Sequence, residues 1–292
     1  MKVTASLLMS GMRWAMKTGL WQPSREEWLL AARCVQQEEK DRINKFVFAK
    51  DAKYAMAGRL LIRKAVSDQL GIQWKDIQLG RTEKGKPYLT NTVDNDDHAL
   101  FSFNVSHSGD YAVLTAEHRH VVGVDVMKVD YPNRGDVPEF FRMMRRQFTD
   151  HEWSTIKASN SEWEQLKLFY RHWCLKESYV KALGVGIGFE LQRIDFHLKT
   201  PQVRTGEVSQ DTQVYIDGTH QPDWLFQESA LDDTHCAAVA IQGLTQAVSD
   251  PPPFRVLEFS ELTGVAQPLL PEDVSYWESF RNKKERPQLT KR

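Results

Sequence analysis

A chain of 292 residues with 41% hydrophobic content can bury a real core and suggests about two structural units of ordinary size. Its 38 Lys and Arg nearly balance 39 Asp and Glu, which removes any global electrostatic case for nucleic acid or an anionic membrane as partner. Cys34, Cys174 and Cys236 show neither zinc spacing nor a disulfide framework, the apolar run near residue 8 is interrupted by Arg13 and Lys17, and no stretch reaches membrane-spanning length, so a soluble cytosolic protein is expected.

Residues 12–21 read as a short strand with aromatic anchors. Ser24, with Glu27 three residues on, is a capping box for a helix running to about Arg33. Gln36 to Leu70 reads as helix, bent near Phe46–Phe48 and closed by Gly71. Its aliphatic face alternates with Arg42, Lys45, Lys50, Lys53, Arg59, Arg63 and Lys64. Such a face is ordinarily solvated; the functional reading is that part of it meets a polyanion. Ile77 to Leu79 is a short strand. The turn that follows, Arg81, Thr82, Glu83, Lys84, Gly85 and Lys86, sets three cations around one glycine and exposes backbone N–H groups, which suits a phosphate. Similar turns are common on surfaces.

After a polar, acidic loop at Asn91 to His98, Phe101 to His107 alternates cleanly as a strand and returns through Ser108-Gly109-Asp110 into Tyr111–Ala116. Val121 to Met127 is an apolar strand with one carboxylate. Val122, Val124 and Val126 share a face; Asp125 opposes them, beside Gly123. An Asp among valines is disfavoured by propensity and by burial, which favours metal binding or catalysis over a structural role. Pro138 to Phe148 reads as helix with Phe140, Phe141 and Met144 buried, and Thr149 to Glu152 is a second capping box.

Glu162 to Leu183 contains no Pro or Gly and ends at Gly184, where a left-handed cap would sit. Leu166, Tyr170 and Trp173 form a stripe that should face the core, with Phe169 and Val180 at its edge. Its next members are Glu177 and Lys181. An i,i+4 surface pair is the plain reading; a core that gives way to a charged cleft is the functional one. Gly184 to Phe189 lacks dinucleotide-binding spacing. Ile194–Leu198, Gln213–Ile216, Trp224–Phe226 and Cys236–Ile241 read as strands of a final meander. Pro251-Pro252-Pro253 is a linker, and the tail beyond it reads as an appendage, in part disordered. The expected class is α+β: two similar lobes (a pseudo-dimer) with antiparallel sheets, long helices and a cleft between them. The expected divisions are 1–118, 119–248 with the metal site, and a proline-rich linker and tail at 249–292.

Asp125 and Glu177 are two carboxylates for a divalent ion, and so few protein oxygens suit Mg²⁺, which keeps waters and takes phosphates. Lys181, one turn beyond Glu177, could reach a phosphate oxygen. Arg42, the 81–86 turn, Asn104, Ser106 and His107 could hold the rest of a phosphorylated ligand. These are the parts of metal-assisted phosphoryl transfer. Two acids about fifty residues apart are not in themselves a motif.

Several segments carry more together. Gly123-Val124-Asp125 matches (I/V)G(I/V)D. Trp173, Lys176, Glu177, Ser178 and Lys181 match W-x-x-K-E-(A/S)-x-x-K. Gly85-Lys86-Pro87, Asn104-Val105-Ser106-His107, and Phe148-Thr149 with Glu152 match G-K-P, N-(I/V)-S-H and F-(S/T)-x-x-E. As an ordered set over residues 42–190 these resemble the 4′-phosphopantetheinyl transferases of the Sfp-type branch. Gly11–Ala15 and Pro23–Leu30 resemble its animal-type, broad-range members.

The resemblance implies Mg²⁺-dependent transfer of 4′-phosphopantetheine from coenzyme A to a serine of acyl or peptidyl carrier domains, such as those of fatty acid synthase and aminoadipate-semialdehyde dehydrogenase, by a cytosolic monomer. It implies coenzyme A contacts from Arg42, from Arg81, Thr82, Glu83, Lys84, Gly85 and Lys86, from Asn104, Val105, Ser106 and His107, and from Asp125 and Glu177, Ser178, Tyr179, Val180 and Lys181. His107 would favour the 3′-phosphate. Asp125 and Glu177 would hold the metal, Glu177 would also act as base, and Lys181 would stabilise the leaving 3′,5′-ADP side. Many members carry a second acid two residues after the strand Asp. Here that position is Met127, which leaves two protein carboxylates and more water. Trp173 reads as packing and Lys176 as touching ligand or solvent. Tyr131 to Phe148 is the expected carrier contact. The competing readings are another Mg²⁺-dependent phosphotransferase or hydrolase, and a non-catalytic module that binds coenzyme A or carrier domains.

Overall fold

The structure is a computed structural model that describes residues 11–91, 100–133 and 135–285. The first ten residues, nearly all of the acidic loop after Asn91, and the charged end of the chain fall outside them. Strand β1 (Met12–Met16) leads to helix α1 (Arg25–Arg33), whose Ser24–Glu27 capping box forms in both directions. The expected bend in the basic helix is a break: α2 (Gln37–Asn44) ends, and α3 (Ala49–Leu70) restarts after Phe48, whose backbone is extended and bridges Lys284. Gly71 closes α3 in the left-handed conformation. A 3-10 turn at Trp74–Asp76 displaces the next strand, so β2 is Leu79–Arg81 rather than 77–79, and it pairs with β3 (Pro87–Leu89) across the cationic turn.

Strands β4 (Phe101–Ser108) and β5 (Tyr111–His118) form the expected hairpin, and β6 (Val121–Lys128) follows. Helix α4 is Val137–Met143; it buries Phe141 and leaves Phe140 half-buried, and a 3-10 turn carries the chain to Phe148. The second capping box starts α5 (Asp150–Ile156), and α6 (Glu162–Leu183) ends at left-handed Gly184. The rest of the chain supplies β7 (Ile194–His197), β8 (Val208–Ser209), β9 (Gln213–Ile216), β10 (Thr219–His220), β11 (Trp224–Asp232), β12 (His235–Gln242), β13 (Arg255–Val256), α7 (Phe259–Thr263) and α8 (Val274–Arg281).

The class is α+β. Two four-stranded sheets, β13-β1-β5-β4 and β6-β12-β11-β8, lie beside a smaller β10-β9-β7 sheet and the β2-β3 ribbon. The expected final meander is therefore divided between two sheets. Strands β4 and β6 adjoin without a main-chain ladder. Alternate side chains of β4 bridge the gap instead: Ser102, Asn104 and Ser108 accept from the N–H groups of Val122, Val124 and Lys128 at 3.1–3.3 Å, and Ser106 donates to Asp125 at 2.7 Å. Period-two alternation puts this polar row on one face of β4 and Phe101 and Phe103 on the other.

Helix α6 lies on β6 and β12. Gly123 permits the approach, because a Cβ there would sit 2.1 Å from Ser178 O and 2.4 Å from Ala182 N. In the second half of α6 the buried residues are Cys174, Leu175, Lys176, Ser178, Tyr179, Val180 and Ala182, of which only Val180 belongs to the edge of the expected stripe. Its first half packs Leu166 and Phe169 into an aromatic cluster with Phe141, Phe148 and Trp153, and Tyr170 and Trp173 are half-buried against that cluster. Two different neighbours thus cover two different faces of one helix.

The tail is no appendage over its described length. β13 pairs in parallel with β1, and Phe259, Leu262, Tyr276 and Phe280 join the core around Trp28. Among the described residues no helix is long and apolar enough to cross a membrane.

Candidate active site

A cleft of about 990 Å³ opens between α3, β4, the β2–β3 turn and the second half of α6. It is lined by Arg42, Arg81, Lys84, Gly85, Lys86, Asn104, Val105, Ser106, His107, Glu177, Val180 and Lys181, all expected from the sequence. Asp125 lies beneath them, 4% exposed, joined to Ser106 and Lys181. Four expected residues are placed elsewhere. Thr82 and Glu83 are exposed at the tip of the turn, where Thr82 closes it through Lys86. Ser178 is fully buried and bonds Leu175 O, and Tyr179 packs on Trp224 on the opposite face of α6. A second cavity of about 660 Å³, where Arg171 pairs with Glu228 at 2.6 Å, is lined by none of Asp125, Glu177 and Lys181.

The acids come together because β6 and the second half of α6 are in contact. Asp125 Oδ1 accepts from Ser106 Oγ and Lys181 Nζ, whereas Asp125 Oδ2 is buried without a hydrogen-bond partner. A buried carboxylate oxygen left unpaired is costly, so the position favours a cation. Burial raises the Glu177 carboxyl above the ordinary range, the Asp125 charge raises it further, and Lys181 opposes both. The donors offered are oxygens alone, the set that hard divalent cations take. Met127 packs with the apolar cluster around Cys174, Leu175 and Tyr179 and adds no oxygen.

Positive groups frame the cleft. Arg81 grips Glu39 with two bonds of 2.9 and 3.0 Å and donates to Gly85 O. Gly85 holds the turn at φ 81°, where a Cβ would be strained. Lys84 and Lys86 reach the end of α6, donating to Val185 O at 2.6 Å and Lys181 O at 3.2 Å. Lys86 thereby caps a carbonyl of the last turn, which has no partner within the helix, and Lys84 holds the segment just after it. Arg42 lies over the Phe46 ring, and His107 stacks on Tyr54 with centroids 4.5 Å apart.

Arg59 is the residue that sequence reasoning left undistinguished within the basic face. It lines the cleft, Glu39 is 3.7 Å away, and its Nε and Nη1 are buried without hydrogen bonds. Burial lowers its pKa to about 10. A basic face carries no sign of which member the fold will bury; Glu39, twenty residues earlier, was the available clue. Lys176 departs from expectation, lining neither the cleft nor the surface. Its ammonium and the Glu152 carboxylate are both 0% exposed and 2.7 Å apart, and Lys176 also donates to Leu191 O and Ile194 O.

Residues 19–119 match the family described as 4′-phosphopantetheinyl transferase, N-terminal, and residues 121–240 match the 4′-phosphopantetheinyl transferase superfamily. The human protein named L-aminoadipate-semialdehyde dehydrogenase-phosphopantetheinyl transferase is 49% identical over 93% of this chain and 91% of its own length. The Xenopus laevis protein of that name is 46% identical over 96% of this chain and 95% of its own. A 4′-phosphopantetheinyl transferase of Bacillus subtilis is 29% identical over 60% of this chain and 70% of its own. With both parts of the chain matched and about half of its residues shared with a named enzyme across almost the full length, the chain belongs to the 4′-phosphopantetheinyl transferase superfamily and is a transferase.

Proposed function

We propose that the cleft binds coenzyme A and passes its 4′-phosphopantetheine group to a serine hydroxyl of an acyl or peptidyl carrier domain, releasing 3′,5′-ADP. The observation that carries this reading is the unpartnered, buried Oδ2 of Asp125 near Glu177, in a cleft walled by Arg42, Arg59, Arg81, Lys84, Lys86 and Lys181. Asp125 and Glu177 would hold Mg²⁺, which when bound supplies neutralising charge at the pyrophosphate. Two protein carboxylates hold it, since Met127 has no donor oxygen.

Glu177 takes the proton of the carrier serine, directly or through water. The serine oxygen forms a bond to the β-phosphorus. The bond from that phosphorus to the bridging oxygen breaks, and its electron pair leaves with 3′,5′-ADP. Lys181 stabilises charge on the leaving side. Arg42, Arg59 and the 81–86 turn anchor the ligand's phosphates, and His107, held flat by Tyr54, takes the 3′-phosphate region. Carrier contact falls on Tyr131 to Phe148. The names of the human and frog relatives support a carrier domain of aminoadipate-semialdehyde dehydrogenase as one target, with fatty acid synthase as another. The enzyme acts as a cytosolic monomer, a setting supported by its three free thiols.

The test is transfer of labelled phosphopantetheine from coenzyme A to apo acyl carrier protein, with and without Mg²⁺. Label on the carrier only when Mg²⁺ is present is the expected result. Tight coenzyme A binding with no transfer would show a binding module instead, and turnover of other nucleotides without a carrier would show a different phosphotransferase.

A further inference from the structure

Away from the cleft residues, His151, Asp195 and His197 converge. His151 is on α5, and Asp195 and His197 are two apart on β7, so both point from the same face of the strand. One ligand atom from each lies within 4.8 Å of the other two, the one such trio of His, Cys, Asp or Glu among the described residues. His151 Nδ1 is 3.1 Å from Asp195 Oδ1, and His197 Nε2 is 2.8 Å from Asp195 Oδ2. Four ligands at zinc bonding distance stand about 3.3 Å apart at the corners of a tetrahedron; the two contacts to Asp195 are close to this, and the separation of the two histidine nitrogens is within 4.8 Å.

The surroundings hold the donors in place. Thr149 Oγ1 donates to Asp195 Oδ1, the kind of outer contact that orients a ligating carboxylate. The His197 ring lies 4.3 Å from the Tyr215 ring and 4.1 Å from the His151 ring. The side chains of His151, His197 and Asp195 remain 47%, 38% and 22% exposed, so an ion can enter and keep water in its remaining positions.

We propose that His151, Asp195 and His197 form a second metal site, which takes a borderline transition ion such as Zn²⁺ and not the Mg²⁺ of the cleft. Two imidazoles and one carboxylate favour zinc, cobalt, nickel or copper, whereas Mg²⁺ selects oxygens. The ion acts as a clip. It ties the first turn of α5 to β7, the two elements that Glu152 already joins through its bond from Phe196 N. Glu152 in turn holds Lys176, the neighbour of Glu177. The site therefore stabilises the corner that carries the catalytic helix while taking no part in the reaction.

The test uses the full chain, stripped with a chelator and titrated with Co²⁺ or Zn²⁺ in excess Mg²⁺. One equivalent of Co²⁺ should bind with a visible band of nitrogen-ligated cobalt. That binding should persist in a Glu177→Gln variant. His197→Ala should weaken it by more than about 100-fold, beyond the loss seen when only an outer contact is removed. His151→Ala, at an exposed position where circular dichroism can verify folding, should do likewise and retain transferase activity. Zn²⁺ at about 100 times its dissociation constant should raise the melting temperature of the unaltered chain by roughly 5 °C or more, and leave that of His151→Ala unmoved. Absence of the band, a band unchanged in both histidine variants, or a band lost in Glu177→Gln would each overturn the assignment.

Discussion

Replacing Lys176 by Met tests whether the joint behind the active-site helix is electrostatic. Both members of the Lys176–Glu152 pair are 0% exposed, and the ammonium also satisfies two carbonyls. Met keeps most of the volume and removes the charge. Glu152 is then left buried with only the N–H groups of Thr149 and Phe196 as partners. Breaking a fully buried pair from one side costs about 3–5 kcal/mol, a large part of a typical folding free energy. In equilibrium urea unfolding the midpoint should fall by about 1–2 M with the slope unchanged. The loss has a pH signature. Burial already raises the Glu152 pKa, with Lys176 opposing, so removing Lys176 raises it further. A folded-state pKa above the unfolded value favours folding at low pH and loses that contribution as the pH rises through the folded value. The deficit of Lys176→Met should therefore deepen from the mildly acid range towards neutrality. Adding Glu152→Gln removes the stranded charge, although its single carbonyl oxygen can accept from only one of the two N–H groups, and should restore part of the stability and flatten the pH dependence. A loss below about 1 kcal/mol, where an exposed pair would fall, or no benefit from Glu152→Gln, would refute the reasoning.

Gly123→Ala places a Cβ 2.1 Å from Ser178 O, which only a shift of α6 relieves; unfolding should show a loss of about 1–3 kcal/mol or more, and turnover should fall by about 100-fold as Glu177 moves from Asp125. A variant with unchanged melting and turnover would contradict the close-approach argument. In the metal-free protein the Glu177 carboxyl should titrate above the ordinary glutamate pKa, because burial and Asp125 raise it, and added Mg²⁺ should lower it; carboxyl NMR titrations that show no elevation, or no response to Mg²⁺, would contradict the site. Glu177→Gln should lose turnover far more than coenzyme A binding; equal losses in both would make Glu177 a binding residue only. Lys86→Ala should raise the KM for coenzyme A with little change in kcat, and an unaltered KM would remove Lys86 from the phosphate cradle.

Asp125 was legible in the sequence because a carboxylate in a run of valines violates local rules, and Gly184 and both capping boxes because their signals span only a few residues. The misread positions depend on partners distant along the chain. Lys176 reads as touching ligand or solvent because nothing near it is acidic except Glu177; its true partner, Glu152, is one turn into another helix and reads only as a cap. The stripe Leu166–Tyr170–Trp173 follows helical spacing correctly, yet α6 changes neighbours midway, so no single period describes its buried side. Asn104 and Ser106 read as ligand contacts and do line the cleft, but their second task was hidden in the sequence. Asn104 bonds Val124 and Ser106 bonds Asp125, so both fasten one sheet to the other at the cleft wall. A solitary Arg59 looks like its neighbours until the fold buries it beside Glu39.

The return of the tail to β1 sets an order of events during synthesis. Trp21 stacks on Phe259, and Trp28 on Tyr276 and Phe280, so aromatic faces made in the first thirty residues meet their covers only after more than two hundred further residues have been added. Trp21 and helix α1 with its Trp28 emerge from the ribosome long before those covers do. The early half of the chain must wait with indole surface bare, a window in which chaperone capture or aggregation competes with completion. Once β13, α7 and α8 dock on β1 and α1, segments made early and late close over one core, and neither can finish folding without the other.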